Sequence, residues 1–588
     1  MMTEQILAAQ KSGNHLMVYE LAEEALKTHP DDIFLQYHLV LALAKCDATQ
    51  RALDCFYQYK LYLHPSEDVL ALEALILKHL AFASYDAVSL RKAADSYQRI
   101  LSQAGGYYRA INAATLYLLS GDRGQSVALA QHALELAAQD EGDLFFKMAT
   151  QAAALLMLDR QSDAKRVIDA VACLEGDNLQ RRARTRQRLK LICDYLHLDA
   201  SILDSLLPEM VVYYCGHIFD QTILPAQEAE LVRRIESILS ENKVAIAYGS
   251  LAAGADILFA ECILQRGGEL NVWLPFKKSD FCEAAVQPAG AAWLARFESC
   301  LARAHSVSYA TDSSFMKDDS LFEYCADVSM GMSITRANIL SARVLQVAVW
   351  NEIASARFSG THRNVNKWRD LGHSACVIPY PHSSHVRKVL TQPDVVARRE
   401  PHAILFSDVR GYSKLCDRDV LWYFNVLNPH LARAIEKFRP DIQLIDTWGD
   451  GIYMITKKAS VAARIAFALN EALAQLDQSM LDLQEPLMMR TALHYGPVFT
   501  LYDHFEQKET FSSNEVTKTA RIEPVTPPGE IFGTEAFVAI LELEGDKCAT
   551  FEYAGTLPSA KNYGAFSMFH IRPGLQSDST WRVKKQKA

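Results

Sequence analysis

QLIDTWGDGIYMI, residues 443–455, decides the reading of the C-terminal third of the chain. Leu444, Ile445 and Trp448 precede Gly449-Asp450-Gly451, and Ile452, Tyr453, Met454 and Ile455 follow. Apolar, β-favouring runs on both sides of a glycine-aspartate turn predict a β-hairpin. Two aspartates, Asp446 and Asp450, flank that turn. Upstream, HAILFSDVRGYSKL (402–415) predicts a buried strand that ends at Asp408, with Gly411 turning the chain away. DVLWYFNVLNPHLARAIEKF follows with helical character. Asp408 and Asp450 are 42 residues apart and meet if their strands pair side by side. Two carboxylates supply hard oxygen ligands suited to Mg²⁺ or Mn²⁺, and a pair of such ions suits phosphoryl transfer.

The rest of the chain sets the frame. Its 588 residues are enough for three or four domains, and 50% are hydrophobic. Sixty basic against seventy acidic side chains give a formal charge of −10, which argues against a nucleic-acid binder. The first fifteen residues lack the apolar core of a signal peptide, and no run of about eighteen apolar residues appears. Twelve cysteines without a C-x-x-C pair read as reduced thiols. Together these predict a cytoplasmic protein with no membrane span.

Residues 1–205 read as successive helices. VYELAEEALKTHPDD ends in a His-Pro-Asp-Asp stop, and ALDCFYQYKLYLHPSED repeats that shape 35 residues later, from Pro30 to Pro65. A period of about 34 residues with paired helices predicts tetratricopeptide-like repeats, an α-solenoid with a surface for a protein partner. From 210 to 380 the pattern changes to strand, glycine loop, helix, strand, as in KVAIAYGSLAAGADILFAECILQRGGELNVWLPF. Gly249, Ser250, Gly254 and Asp256 lie where a strand hands over to a helix, a place where backbone amides hold phosphate. This α/β region resembles the SLOG superfamily, Rossmann-like domains implied to bind nucleotide-derived ligands. Residues 381–400 are rich in Pro, Ser and charge and predict a linker; 576–588 form a basic tail.

Five motifs in 401–575 resemble class III nucleotidyl cyclases, in family order. They are Phe406-Ser407-Asp408-Val409-Arg410-Gly411-Tyr412, Asp446-Thr447-Trp448-Gly449-Asp450-Gly451, LMMRTALHYGPVF (487–499), SSNEVTKTARIEPVTPPGEIFGT (512–534) and TLPSAKNYGAFSMFHI (556–571). The resemblance implies an α+β, ferredoxin-like domain that closes a nucleoside triphosphate to a 3′,5′-cyclic nucleotide. It implies that Asp408, Val409 and Asp450 hold two divalent ions. Arg490 falls on the arginine that holds the terminal phosphates, Arg521 on the one at the α-phosphate, and Lys561 on the lysine that grips the polyphosphate. The ribose asparagine of the family is Thr517 here. Asp446, Thr510 and Phe406 fall on the base-recognition positions.

Family sites form in head-to-tail dimers, so the resemblance implies a homodimer with the metal aspartates on one protomer and the reading groups on the other. Adenylate cyclases carry lysine at the position of Asp446. An aspartate there sets acceptor against the adenine N1 acceptor, which disfavours ATP. Guanine, cytosine and uracil each offer a donor. The family includes bacterial pyrimidine cyclases that make cyclic UMP or cyclic CMP as an antiphage signal, and that substrate class is the expectation here. A guanylate or adenylate cyclase in ordinary signalling, and a non-catalytic scaffold with a degenerate cyclase domain, are the alternatives.

Overall fold

The computed structural model describes residues 2–574 apart from 12–13, 47, 65, 85, 175–178, 220–222, 317–318, 354–359, 381–398, 482, 484 and 559–564. The expected linker up to residue 398, Lys561 and the basic tail lie outside the described residues. The chain divides into two units, Met1–Pro208 with Glu552–Leu557 and Glu209–Phe551 with Pro558–Gln576.

Up to Pro208 the described residues of the first unit form helices that pack chiefly on their sequence neighbours. Asp32, the last residue of the His-Pro-Asp-Asp stop, starts the next helix. Its carboxylate accepts the amides of Phe34 at 2.8 Å and Leu35 at 3.2 Å. Asp86, Asp122 and Asp143 cap later helices in the same way. Helices Ile33–Lys45 and Glu67–Ser84 start 34 residues apart, the tetratricopeptide period. The next pair starts at Tyr107, 40 residues further on, because Glu67–Ser84 and Ala87–Ala104 run to 18 residues each. That lengthening is why the repeat looks degenerate in the sequence. Ala93, Ala94, Ala113, Ala114, Ala130 and Ala133 are fully buried and let neighbouring helices approach closely. No helix among the described residues is long and apolar enough to cross a membrane, and none of the twelve cysteines is in a disulfide.

The second unit contains two sheets. Strands β1 (Met210–Gly216), β2 (Val244–Gly249), β3 (Glu269–Leu274), β4 (Ser306–Tyr309), β5 (Val344–Trp350) and β6 (Ala375–Pro379) form a parallel sheet in the order β4-β3-β2-β1-β5-β6. Its central strands are apolar on both faces, as in the buried run Val211-Val212-Tyr213-Tyr214, because helices cover both sides.

The other sheet comprises β7 (Arg399–Arg410), β8 (Ile442–Trp448), β9 (Gly451–Thr456), β10 (Met488–Asp503), β11 (Lys508–Ser512), β12 (Ile531–Thr534), β13 (Ala549–Pro558) and β14 (Ala565–Pro573). Its order is β13-β14-β12-β10-β7-β9-β8, with β11 paired to β10. Strand β7 starts at Arg399, earlier than the expected domain start at 401, and it runs through Asp408 to Arg410. The strand outlasts Asp408 because β10 pairs it along its whole length, Arg490 opposite Asp408 and Met488 opposite Arg410. The helical segment after it is broken by a π-helical turn at Tyr423–Leu427.

Helix Ser320–Leu340 of the parallel-sheet domain packs on helix Glu535–Leu543 of the other. Gly331 makes this possible, since a Cβ there would stand 1.9 Å from the Ala539 carbonyl oxygen. Tyr324 adds a hydrogen bond, its hydroxyl donating to the Tyr495 carbonyl at 2.6 Å.

Candidate active site

The hairpin forms as expected. β8 and β9 pair antiparallel with Trp448 opposite Gly451, so Gly449 and Asp450 make the two-residue turn. Gly449 takes φ +64°, a conformation that favours glycine. β9 also pairs with β7, Ser407 opposite Ile452. This brings the turn, and Asp450 with it, beside Asp408 on β7, close enough for each carboxyl to act on the other.

Charge is concentrated here. Arg490, opposite Asp408 across the sheet, pairs with Asp408 at 2.5 Å and with Glu523 at 3.1 Å. Burial, then the hydrogen bond and the charge of Asp408, push Asp450 up to about 7. Burial also acts to raise Asp408, but hydrogen bonds from Asp450 and Arg490 hold it below the usual carboxylate range. Glu523 is pushed up to about 7 by burial, with Arg490 opposing and both aspartates adding to the rise. The site therefore sets three carboxyls against one guanidinium.

Two adjacent carboxylates are a donor set for a hard divalent cation, which offsets their mutual repulsion. Among the described residues no group of three or more His, Cys, Asp or Glu side chains is arranged to hold a metal ion. The pair suits ions of the Mg²⁺ kind, bound by one or two carboxylates and completed by phosphate oxygens.

A second cluster lies along the same hairpin. Asp446 is opposite Tyr453 on β9, and Tyr453 is opposite Phe406 on β7. The Tyr453 and Phe406 rings stack at 4.7 Å, Trp448 stacks on the same tyrosine at 6.1 Å, and the Tyr453 hydroxyl donates to the Phe511 carbonyl. Lys508 of β11 donates to the Asp446 carboxylate, and Thr510 stands two residues along the same strand, on the same side. Asp446, Phe406 and Thr510 are thus gathered around Tyr453.

Thr517 and Arg521 lie on helix Asn514–Ile522, four residues apart and on one face. Ser513 caps this helix, accepting the Glu515 amide at 3.1 Å. Glu515 is fully buried and anchors it. Its carboxylate accepts from His494 at 2.9 Å, from Lys518 at 2.9 Å and from the Thr311 hydroxyl at 2.7 Å. Burial alone would raise the Glu515 carboxyl, but Lys518 and His494 hold it well below its ordinary value. Thr311 follows β4 of the parallel sheet, so the helix that carries Arg521 is tied directly to that domain.

In the parallel-sheet domain Gly249 does not face open space. A Cβ there would stand 2.5 Å from the Tyr214 ring, so the glycine serves packing. Gly254 takes φ +116°, and the first amide of its helix, Ala255, donates to the His217 carbonyl. Asp256 accepts from the Ala252 amide at 3.2 Å through one oxygen, while its other oxygen and the Ser250 hydroxyl are buried without a hydrogen bond. Burial pushes Asp256 up to about 7.

The sequence pointed to neither Lys508, Glu523 nor Glu515. A lysine two residues before Thr510 on a strand, and an acid two residues after Arg521, are visible as spacing. Besides local pairs such as Glu515 with Lys518, the partners that place them, Asp446, Arg490, His494 and Thr311, come from distant segments.

Residues 395–559 match the family model described as "Adenylate and Guanylate cyclase catalytic domain", and residues 14–117 match "Tetratricopeptide Repeats-Sensor". Among solved structures, the adenylyl cyclase CyaB from P. aeruginosa aligns at 15% identity over 31% of this chain and 97% of that one, with a TM-score of 0.27. The guanylate cyclase domain of RhGC from Catenaria anguillulae, in complex with GTP, aligns at 17% identity over 30% and 98%, TM-score 0.26. The guanylyl cyclase Cya2 aligns at 23% identity over 31% and 97%, TM-score 0.26. No curated protein matches. The C-terminal domain is a class III nucleotidyl cyclase catalytic domain, attached to N-terminal helical repeats.

Proposed function

We propose that the chain is a regulated nucleotidyl cyclase that acts as a head-to-tail homodimer. The observation that carries this reading is the placement of Asp408 on β7 and Asp450 at the adjacent β8–β9 turn, with Arg490 paired to Asp408. In the reaction the ribose 3′-oxygen attacks the α-phosphorus, the bond to the β-phosphate oxygen breaks, and pyrophosphate leaves. Asp408 and Asp450, with Val409 between them and the strand end, would hold two divalent ions, Mg²⁺ or Mn²⁺. Bound there, such ions lower the pKa of the 3′-hydroxyl and neutralise the phosphates.

Arg490 keeps the carboxylates in register and turns to the terminal phosphates when substrate brings its own charge. Arg521 faces the α-phosphate and Thr517 the ribose, both from the partner protomer. Lys561 is assigned to the polyphosphate by motif. The attack is intramolecular, so positioning and charge stabilisation supply most of the rate.

The base is read by Asp446, Lys508 and Thr510. Lys508 changes the argument made from Asp446 alone. Beside the acceptor now stands a donor, so adenine, which presents N6-H₂ next to N1, gains a match it lacked. Cytosine gains one equally, with N4-H₂ to Asp446 and N3 or O2 from Lys508. We retain the pyrimidine assignment, with a role in antiphage signalling, and guanine as the second reading. Incubating the purified chain with each of the four triphosphates and Mn²⁺, and weighing the products, tests it. ATP preferred over the other three rejects the base assignment alone, whereas no cyclic product from any of them favours the scaffold.

The parallel-sheet domain is assigned as a Rossmann-like, SLOG-type sensor. Its strand order reverses between β1 and β5, the position where open α/β sheets bind ligands, and the unpartnered oxygens of Ser250 and Asp256 support a polar ligand. Calorimetry against a nucleotide panel, with no heat from any member, would remove that role. Localisation in the cytoplasm remains part of the same proposal.

A further inference from the structure

Helix Leu179–Leu196 reads LQRRARTRQRLKLICDYL. It carries Arg181, Arg182, Arg184, Arg186, Arg188 and Lys190 against one acid, Asp194, in a chain whose formal charge is −10. Three of these cations have partners. Arg181 pairs with Asp143 at 3.2 Å, Lys190 with Asp194 at 2.7 Å, and Arg182 donates to the Ser205 carbonyl at 3.3 Å.

The Nη2 of Arg188 is buried and has no hydrogen-bond partner, and the same holds for the Nε atoms of Arg182 and Arg186. Lys78, on helix Glu67–Ser84, places its Nζ 5.8 Å from the centroid of the Tyr97 ring, a contact that supplies no negative charge. Lys45, exposed at the end of helix Ile33–Lys45, and Tyr108, 52% exposed on helix Tyr107–Leu119, both act electrostatically on Lys78. Among the charged groups that act on Lys78 or Arg188 there is no carboxylate. Burial, and then Arg188 and Lys45, hold Lys78 below the ordinary range of a lysine. Lys78 in turn is the main cause that lowers the Tyr108 phenol.

Lys78 and Arg188, cations drawn out of water on two helices with no carboxylate acting on either, oppose folding unless an anion joins them. All four groups are hydrogen-bond donors. Carboxylates on a peptide would bring their charges singly and spread along a chain. A phosphate chain concentrates several charges and many acceptor oxygens within one small volume, which matches a guanidinium, two ammonium groups and a phenol converging from separate helices.

We infer that the helical unit contains an anion site formed by Lys45, Lys78, Arg188 and the Tyr108 hydroxyl, and that it takes a compact, phosphate-bearing small molecule. The inference does not depend on the cyclase assignment.

The test uses the full chain and sodium tripolyphosphate in magnesium-free chloride buffer, read by calorimetry and by thermal melting. An Arg521→Ala background removes a phosphate contact expected at the catalytic site. In that background tripolyphosphate should still bind and raise the melting temperature. Lys78→Met and Arg188→Gln should each weaken binding by about tenfold or more, the scale of a lost charge-assisted hydrogen bond. Without phosphate, Lys78→Met should melt higher than the parent, because an uncompensated charge has been removed. A lower melting point for that variant, together with an unchanged response to tripolyphosphate, would overturn the site. Tighter binding of a polyglutamate peptide than of tripolyphosphate would overturn the ligand class.

Discussion

Two clusters of like charge sit in two different units of this chain, and they are near opposites. At the end of β7, Asp408, Asp450 and Glu523 gather around the single guanidinium of Arg490. In the helical unit Lys78 and Arg188 come together, and among the described residues no carboxylate acts on either. A third buried charge shows what full compensation looks like. Glu515 has His494, Lys518 and Thr311 around one carboxylate, and it needs no further partner. The difference separates charges that hold the fold from charges that await a ligand. Compensated groups fix geometry; excess of one sign marks where the missing sign must come from outside.

The largest effect is expected where the excess is negative. Asp408→Ala or Asp450→Ala should abolish cyclic nucleotide formation while the circular dichroism and melting point stay near those of the parent. Turnover within tenfold of the parent by either well-folded variant would break the assignment of this cluster to metal binding. Mixing Asp408→Ala chains with Arg521→Ala chains should then restore about one quarter of the parent rate. Half of randomly formed dimers are mixed, and each mixed dimer keeps one whole site. No recovery, with mixed dimers demonstrated, would reject shared sites.

The compensated charge should behave differently. Glu515→Gln keeps the shape but removes the charge that Lys518 and His494 hold, so the helix bearing Arg521 should shift. We expect kcat to fall by about tenfold or more with KM little changed, since a misplaced transition-state group costs rate rather than binding. Thr311→Val should act in the same direction by a few-fold, and Thr311→Ser should restore the rate. A change confined to KM would place Glu515 outside catalysis. At the base reader, Asp446→Lys sets two ammonium groups side by side with Lys508. It should lower kcat/KM for the preferred substrate by about tenfold, the scale of one stranded polar partner, and improve the relative use of ATP.

The smallest effect tests an acid whose burial is only half compensated. Asp256 has a folded pKa of about 7, above the usual value for an aspartate. The folded state therefore holds a proton that the unfolded state has released. Stability from this group is fully present below about pH 4 and is lost as pH rises toward 7. Asp256→Asn removes that slope, so its melting point should exceed the parent's more at pH 8 than at pH 5. An equal gap at both pH values would show that Asp256 is ionised throughout.

The sequence by itself determined the local pieces of this protein. Glycine at 449 and 451 with β-favouring neighbours set the hairpin, Asp32 and its counterparts set helix starts, and the motif order identified the cyclase domain before any coordinates. These features depend on residues a few positions apart, where turn geometry and capping act. It did not determine which charges are compensated. Lys508 reaches Asp446 from another hairpin, Thr311 reaches Glu515 across 204 residues, and Arg188 meets Lys78 from a helix more than a hundred residues later. Nor could it show that Gly249 faces Tyr214 rather than a ligand. Charge balance in a low-dielectric interior is a property of neighbours in space, and only the tertiary structure decides who those neighbours are.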